Sequence, residues 1–471
     1  MAPAAGLDVE DLSGGSVTED FDGDGRLDVM CSAMGLASPL RYFRNTGSGR
    51  FAEDTAAAGL TGLTGGLNLV SGDYDNDGRV DVLVLRGGWM GAAGAYPRSL
   101  LRNLGGGRFE DVTEAAGLLE AEPSQTAAWF DFDGDGWLDL FVGHESVPAR
   151  PSVCRLYWNN RRGGFVECAA PAGVAVSAFV KGVAAGDYNN DGRPDLYLSL
   201  RDAPNRLFRN EGPAGPDRPT GPAAPAGSGG GTPPRWRFTD TTAAAGVAEP
   251  VRSFPTWFFD YDNDGWLDLF VGGYGVDSVG DVVADVLGRP SAGERPRLYR
   301  NRRDGTFAEV SRAVRLDRVI LGMGGNFGDL DNDGWLDLYL GTGDPEFTTL
   351  VPNRMFRNDA GRRFQDVTTA GGFGHLQKGH GVSFADLDND GDQDIYHVLG
   401  GAYSGDVYRN ALLRNPGHTN HWITLKLEGT RANRGGLGAR VKLVVAGRDG
   451  TREIHRVAGT GGSFGCNPTL Q

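Results

Sequence analysis

The sequence predicts an all-β chain, a seven-bladed β-propeller followed by a small, partial C-terminal β module, and three observations predict it. An acidic nine-residue segment occurs seven times, starting at residues 20, 73, 131, 187, 260, 329 and 386. The intervals between starts are 53, 58, 56, 73, 69 and 57 residues, and a period of that size marks a repeat architecture. Glycine is abundant, 75 of 471 residues, yet it is interleaved with 23 Phe, 13 Tyr and 9 Trp. That mixture reads as many tight turns between core-forming strands rather than as disorder.

In chain order, the first unit opens at "AAGL" without the "RFxDVT"-like strand that precedes it in later units. Each unit then places one strand before the acidic segment and one after it. A hairpin follows, clearest in "RYFRNTGSGRFAEDTAAAGL" (41–60), "LRNLGGGRFEDVTEAAGL" (101–118) and "RMFRNDAGRRFQDVTTAGGF" (354–373), where short aromatic strands flank Asn/Gly turns. Four antiparallel strands make a blade, and seven blades close a ring without long exposed edges. Just past the acidic segment, alternate positions are apolar (Leu27, Val29, Cys31; Val80, Val82, Val84; Leu138, Leu140, Val142), and so are intervening ones such as Leu83, Phe141, Phe270 and Tyr339. A strand apolar on both sides is buried on both faces, as when blades stack.

Two insertions explain the long intervals. Residues 211–234 are mostly Gly and Pro, a flexible excursion. Residues 274–295 insert a second loop with a helical turn expected in "DVVADVLG". The seventh unit lacks its last strand, and "HWITLKLE" (421–428), with Ile423, Leu425 and Leu427 alternating, is expected to supply it. After it, "GARVKLVVAG" and "TREIHRVAG" read as strands of the β module. The propeller is assigned to residues 1–415 and the module to 416–471.

No run of about 18 apolar residues is present, so no membrane span is expected. The start lacks the basic and apolar regions of a secretory signal. Among Cys31, Cys154, Cys168 and Cys466 there is no metal motif; Cys154 and Cys168 flank a hairpin and are either bonded across it or, the favoured reading, buried free thiols. Arginine-rich turns such as "RNRRDG" (300–305) are scattered rather than forming the basic stripe nucleic acid needs, and the formal charge is −15. No nucleophile elbow, P-loop or zincin helix occurs.

The acidic segments carry the chemistry. Numbered 1 to 9, they place side-chain oxygens at positions 1, 3, 5 and 9: Asp20, Asp22, Asp24 and Asp28; Asp73, Asp75, Asp77 and Asp81; Asp131, Asp133, Asp135 and Asp139. The fourth has Asp187, Asn189, Asp191 and Asp195, followed by Asp260, Asp262, Asp264 and Asp268. The last two have Asp329, Asp331, Asp333 and Asp337, then Asp386, Asp388, Asp390 and Asp394. Position 6 is always Gly and position 4 always Gly or Asn, the residues that tolerate left-handed backbone, so each loop coils around a point and aims its oxygens inward. Hard oxygens in a flexible cage suit Ca²⁺. The position 7 carbonyl, of Arg26, Arg79, Trp137, Arg193, Trp266, Trp335 and Asp392, is the remaining protein ligand. An EF-hand is excluded, because its bidentate Glu at position 12 is replaced by Cys31, Val84, Val142, Leu198, Val271, Leu340 and His397. About seven Ca²⁺ per chain are expected, which would cancel nearly all of the −15 charge. The ions are read as mainly structural braces. Loops of this kind often need millimolar-range Ca²⁺, which points to a secreted, periplasmic or cell-surface location.

With their "LYRNxGxGxFxDVT"-type hairpins, the loops resemble FG-GAP/VCBS repeats, the units of integrin α-subunit propellers. The tail "NHWITLKLEGTRANRGGLGARVKL" resembles the ASPIC/UnbV domain of the cartilage acidic protein family. The resemblance implies a calcium-binding, secreted or surface-exposed propeller with a recognition or adhesion role, and metal ligands at positions 1, 3, 5, 7 and 9 of each loop. Members of the family carry an export signal and a longer UnbV module, so this chain is expected to be a fragment.

Blade 7 departs from the pattern. Gln393 and His397 replace apolar residues, and His375, Lys378 and His380 lie just upstream, with strand pairing expected to set residue 383 opposite 397. Histidines with a lysine suit acid–base chemistry or a transition metal, though a hydrogen-bonded structural cluster is the favoured reading. The Trp and Arg side chains at position 7 offer a second surface, either a binding rim or blade packing. Three functions follow: a protein or glycan recognition and adhesion module binding at a propeller rim, favoured here; a polysaccharide lyase or sugar dehydratase using the blade 7 histidines; or a purely structural envelope component.

Overall fold

The computed structural model describes residues 1–214, 232–447, 450–459 and 461–464. Most of the 211–234 excursion and Cys466 therefore lie outside the described residues. Six four-stranded antiparallel sheets and a seventh of three strands follow one another in chain order, each with its strands in sequence order. This is the seven-bladed propeller. Blade 1, for example, runs Ser16–Glu19, Asp28–Cys31, Arg41–Gly47 and Arg50–Glu53, with the acidic loop joining its innermost strand to the next. The helical turn anticipated in the second insertion is an eight-residue helix, Val279–Val286, capped by Ser278 and Asp281.

The strands hold because both of their faces are covered. The second strand of blade 2, Asp81–Leu85, is buried at every residue. Its neighbours explain why: one apolar cluster joins Leu83, Leu85 and Leu100 of blade 2 to Trp129, Leu140 and Tyr157 of blade 3. Equivalent clusters fill each of the other blade-to-blade gaps. Cys31, Cys154 and Cys168 are buried free thiols within them, so no bond joins Cys154 to Cys168.

The ring closes differently from the expectation. Blade 7 has three strands among the described residues, Gly379–Ala385, Asp394–Leu399 and Ala411–Leu413. Residues 421–428 add no strand to it; Trp422 instead lies against Gly391 of the seventh loop, where any Cβ would collide with the indole, and Ile423 is exposed. The place beside blade 7 is taken by the N-terminus. Leu7 and Val9 pack with Tyr396 and Leu412, and Glu10–Asp11 pairs with Tyr408–Arg409.

The C-terminal segment lies across the acidic-loop face. Its hairpin, Arg440–Gly447 with Gly450–Val457, is anchored by polar contacts to loop backbones. The Arg440 guanidinium donates to the carbonyls of Gly265 (3.1 Å) and Asp187 (2.6 Å), and the His455 amide donates to Asn263 Oδ1 (3.0 Å). Beyond the hairpin the chain turns into the central channel. Ser463 pairs with Gly325 of the blade 6 inner strand, and the Phe464 ring sits 5.4 Å from Phe254 and 5.6 Å from His380.

Candidate metal centres

Each acidic loop is wound by its own backbone. The position 4 asparagines (Asn76, Asn190, Asn263, Asn332, Asn389) have φ of 50–57°, and the position 6 glycines have φ of 83–92°. Both lie in the left-handed region that Asn and Gly tolerate. The coil is tied by its own carboxylates. In all seven loops the position 1 carboxylate accepts the position 6 amide at 2.7–3.1 Å. The position 5 carboxylate accepts the position 7 amide at 2.9–3.1 Å.

These bonds use part of each carboxylate and leave the rest turned inward. Asp20, Asp22 and Asp24 each offer an oxygen within 4.8 Å of the others, as do Asp73, Asp75 and Asp81, and Asp131, Asp133 and Asp139. So do Asp260, Asp262 and Asp268, and Asp329, Asp331 and Asp333. At position 3 the outer oxygen is taken: Asp262 Oδ2 pairs with Arg300 (2.9 Å), Asp331 Oδ2 with Arg357 (2.6 Å), and Asp133 Oδ2 accepts the Trp158 indole N–H (3.0 Å). The inner oxygen accepts the position 5 amide in two loops, Asp22 from Asp24 (3.1 Å) and Asp133 from Asp135 (3.2 Å), but has no partner in four others. Oδ1 of Asp75, Asp262, Asp331 and Asp388 is buried with no hydrogen-bond partner, as is Asp20 Oδ1. A buried carboxylate oxygen without a partner is costly, and here the same atom recurs in four loops.

Electrostatics give the same reading. Burial, reinforced by neighbouring carboxylates, pushes Asp73, Asp131 and Asp329 up to about 6 and Asp28, Asp133, Asp260 and Asp394 to about 7. The position 9 carboxyls of Asp81, Asp139, Asp195, Asp268 and Asp337 are raised well above the usual range, chiefly by burial. Without a cation such groups keep their protons to higher pH than an ordinary carboxylate does. The donor set of three or four carboxylate oxygens plus a backbone carbonyl is hard and anionic, and it fits Ca²⁺. The fourth loop offers the fewest carboxylates of the seven, since Asn189 replaces one and its amide donates to Asp191 (3.1 Å).

One group of residues escaped the sequence reading. In the third strand of blades 1 to 6, and two residues past it in blade 7, an asparagine donates its backbone amide to the position 9 carboxylate at 2.7–2.8 Å. Its side-chain amide also bridges to the position 2 carbonyl of the preceding blade at 2.7–3.0 Å, from Asn103 to Phe21, Asn159 to Tyr74, Asn210 to Phe132, Asn301 to Tyr188, Asn358 to Tyr261 and Asn415 to Leu330. Asn45 to Leu387 completes the circle at 2.9 Å. The signal was present, an Asn at one fixed place in every hairpin, but a contact between blades is not local in sequence.

The blade 7 group does not assemble into an open site. Val382, not residue 383, pairs with His397, because the strand ladder begins at Ala385 and Asp386 has already entered the loop. His397 is fully buried, 3.4 Å from the Tyr339 hydroxyl, and His380 packs between Phe254 and Phe464. Burial lowers both to about 3, so both are neutral. Lys378 is buried in an ion pair with Asp406 (2.5 Å), and His375 accepts the Gln377 amide through Nδ1 (3.1 Å). At position 7, Trp137, Trp266 and Trp335 are half-buried, and Arg26, Arg79 and Arg193 fold back onto carbonyls of Asn45, Asn103 and Asn210 in their own blades.

Comparison with known proteins places these repeats. The FG-GAP-like repeat profile matches residues 20–84, 92–142, 146–198, 260–340 and 341–397. Human cartilage acidic protein 1 is 26% identical over 364 residues, covering 73% of this chain and 48% of that protein. The mouse protein of the same name is 27% identical over 364 residues, covering 73% and 50%. The chain thus spans about half the length of these curated relatives. Among solved structures, a chain of the BBS1N–ARL6DN complex soaked with lead gives a TM-score of 0.47 at 10% identity, covering 88% of this chain and 97% of that one. The V. cholerae biofilm matrix protein Bap1 gives 0.37 at 11%, covering 90% and 83%.

Proposed function

The chain belongs to the FG-GAP-like repeat family, and from that premise we propose that it is a calcium-loaded, extracytoplasmic propeller acting as a protein or glycan recognition and adhesion module. The observation that carries the calcium reading is the recurrent buried, unpartnered Oδ1 of Asp75, Asp262, Asp331 and Asp388. Positions 1, 3, 5 and 9 of each loop would hold the ion through carboxylates (Asn189 in the fourth), and the carbonyl of position 7 would complete the protein's share. A bound Ca²⁺ supplies positive charge and fixes the loop; it is assigned no reaction. The rest of the work is done by this chain's own groups, as the asparagine bridges hold each loop against the next blade.

The recognition surface follows from which face is free. The hairpin and its approach cover the acidic-loop face, whereas the opposite face exposes Val283, Val286, Leu287, Phe347, Leu350 and Tyr403. Apolar groups gathered on one face mark interaction sites more often than singly scattered ones do. Extracytoplasmic location is supported by the Ca²⁺ range typical of such modules and by the family name of the curated relatives. No helix among the described residues is long and apolar enough to cross a membrane.

The test is a panel of extracellular-matrix proteins and glycans probed with the calcium-loaded chain, with chelated protein as control. Calcium-dependent capture lost in Phe347→Ser/Leu350→Ser supports the proposal. Capture of nothing, or capture indifferent to both chelation and those substitutions, overturns it.

A further inference from the structure

Where the C-terminal hairpin crosses the mouth of the central channel it encloses a cavity of about 820 Å³. The wall is built by the inner strands of blades 2 to 6, and two residue types shape it. Small side chains, Ala127, Ala128, Ala184 and Ala185, widen the channel, while Trp129 and Trp257 lend flat apolar faces. The roof is Leu437, Ala439 and Val457 of the cap.

Most polar groups of this lining already have partners within the protein; the Trp257 indole N–H is buried without one. The Asn68 side-chain amide donates to the Gln125 carbonyl (3.0 Å), and the Thr256 hydroxyl to the Phe270 carbonyl (2.8 Å). Asn433 uses both ends of its amide on Leu437, and Gln393 Oε1 accepts the Asp329 amide (3.0 Å). The charges at the mouth are engaged too: Arg456 with Asp329 (3.2 Å) and Arg440 with the Asp187 and Gly265 carbonyls. Protein interiors are close-packed and hold few voids larger than a water molecule. A large space with a single unpartnered donor in its wall offers water little, and apolar spaces of that kind take up apolar guests. The volume falls in the range of small-molecule sites, about 300–1,000 Å³.

We infer that the capped channel is a binding site for a neutral, ring-bearing, largely apolar small molecule. The lining holds one buried donor without a partner, the Trp257 indole N–H, which suits a neutral ligand with a single acceptor, and the carboxylates of Asp131, Asp187, Asp260 and Asp329 in the same lining disfavour an anion. The site adjoins the acidic loops, since Asp131, Asp187, Asp260 and Asp329 also line it, and is distinct from the opposite, apolar outer face, so its occupancy does not depend on what that face recognises.

The probe that tests this is N-phenyl-1-naphthylamine, a neutral fluorophore excited by tryptophan emission, titrated into the calcium-loaded full chain. Saturable binding is expected, with energy transfer from Trp129 and Trp257. Ala128→Leu fills the space from the wall and Ala439→Trp fills it from the exposed roof; each is expected to weaken binding at least tenfold while calcium-dependent melting persists. Should Ala128→Leu not fold, Ala439→Trp decides alone, since it adds bulk outside the ring. Val286→Ser/Leu287→Ser on the opposite face is expected to leave binding unchanged. The inference is overturned if the probe does not saturate, if neither filling variant weakens it, or if the outer-face variant abolishes it.

Discussion

Asp75 shows how one carboxylate can be a liability and an asset in the same fold. Burial and its neighbour Asp77 raise its pKa, and one of its oxygens has no partner. Asp75→Asn removes the charge without removing the shape. In chelator the variant is therefore expected to melt at the same temperature as the parent or above it, and in saturating Ca²⁺ below it. Loss of one site costs up to about 2.7 kcal/mol at a hundredfold excess over its dissociation constant, which differential scanning fluorimetry resolves. A variant destabilised equally in both conditions would assign Asp75 to packing rather than to an ion. Asn159 makes a complementary case. Its side-chain amide donates to the carbonyls of Tyr74 and Leu138, 2.8 and 3.0 Å away, and Asn159→Ala leaves both buried and unsatisfied. The expected loss is roughly 2–5 kcal/mol in urea unfolding, with or without calcium, because the bridge does not involve the ion.

At the scale of the loop, the titration behaviour follows from the same burial. Seven loop carboxyls, those of Asp28, Asp73, Asp131, Asp133, Asp260, Asp329 and Asp394, are raised to about 6 or 7. At these groups the calcium-free fold binds protons more tightly than the unfolded chain, so the stability they contribute is fully present below about pH 4 and is lost as pH rises through 6 to 7. Bound calcium would replace those protons. The increase in melting temperature on adding Ca²⁺ is accordingly expected to be larger at pH 8 than at pH 5.5; an increase independent of pH would contradict the loop chemistry.

The loop was also the most legible element. Its Asp, Gly and Asn positions encode backbone angle and oxygen placement within nine residues, and the structure reproduces the left-handed angles at positions 4 and 6. Blade 7 was less legible because its closure is not local. The alternation in 421–428 reads as a strand, but the N-terminal segment occupies that side of the blade, and Trp422 is used against Gly391 instead. The one-residue displacement opposite His397 has a local cause, the ladder starting before the first aspartate. Nothing in the sequence says that Arg440 and Arg456 meet loop carbonyls and Asp329, since an arginine in a β hairpin looks the same wherever it docks.

For the whole molecule the account is a ring of blades stapled by asparagines, with its like charges gathered at one face and capped there by the C-terminal hairpin. That arrangement makes the cap and the ions interdependent, because Arg434, Arg440, Arg452 and His455 contact the same loops that the ions would fix. Chelation is therefore expected to loosen the cap as well as the loops, seen as faster amide exchange in 440–457, while a cap that stays protected in chelator would mean that the two are uncoupled. The central claim is that a divalent cation occupies each acidic loop, and counting calcium answers it most directly. Equilibrium dialysis in millimolar Ca²⁺ followed by elemental analysis should give close to seven ions per chain, all removable by chelator with a large fall in melting temperature. A count near zero, with melting unchanged by chelator, would contradict it.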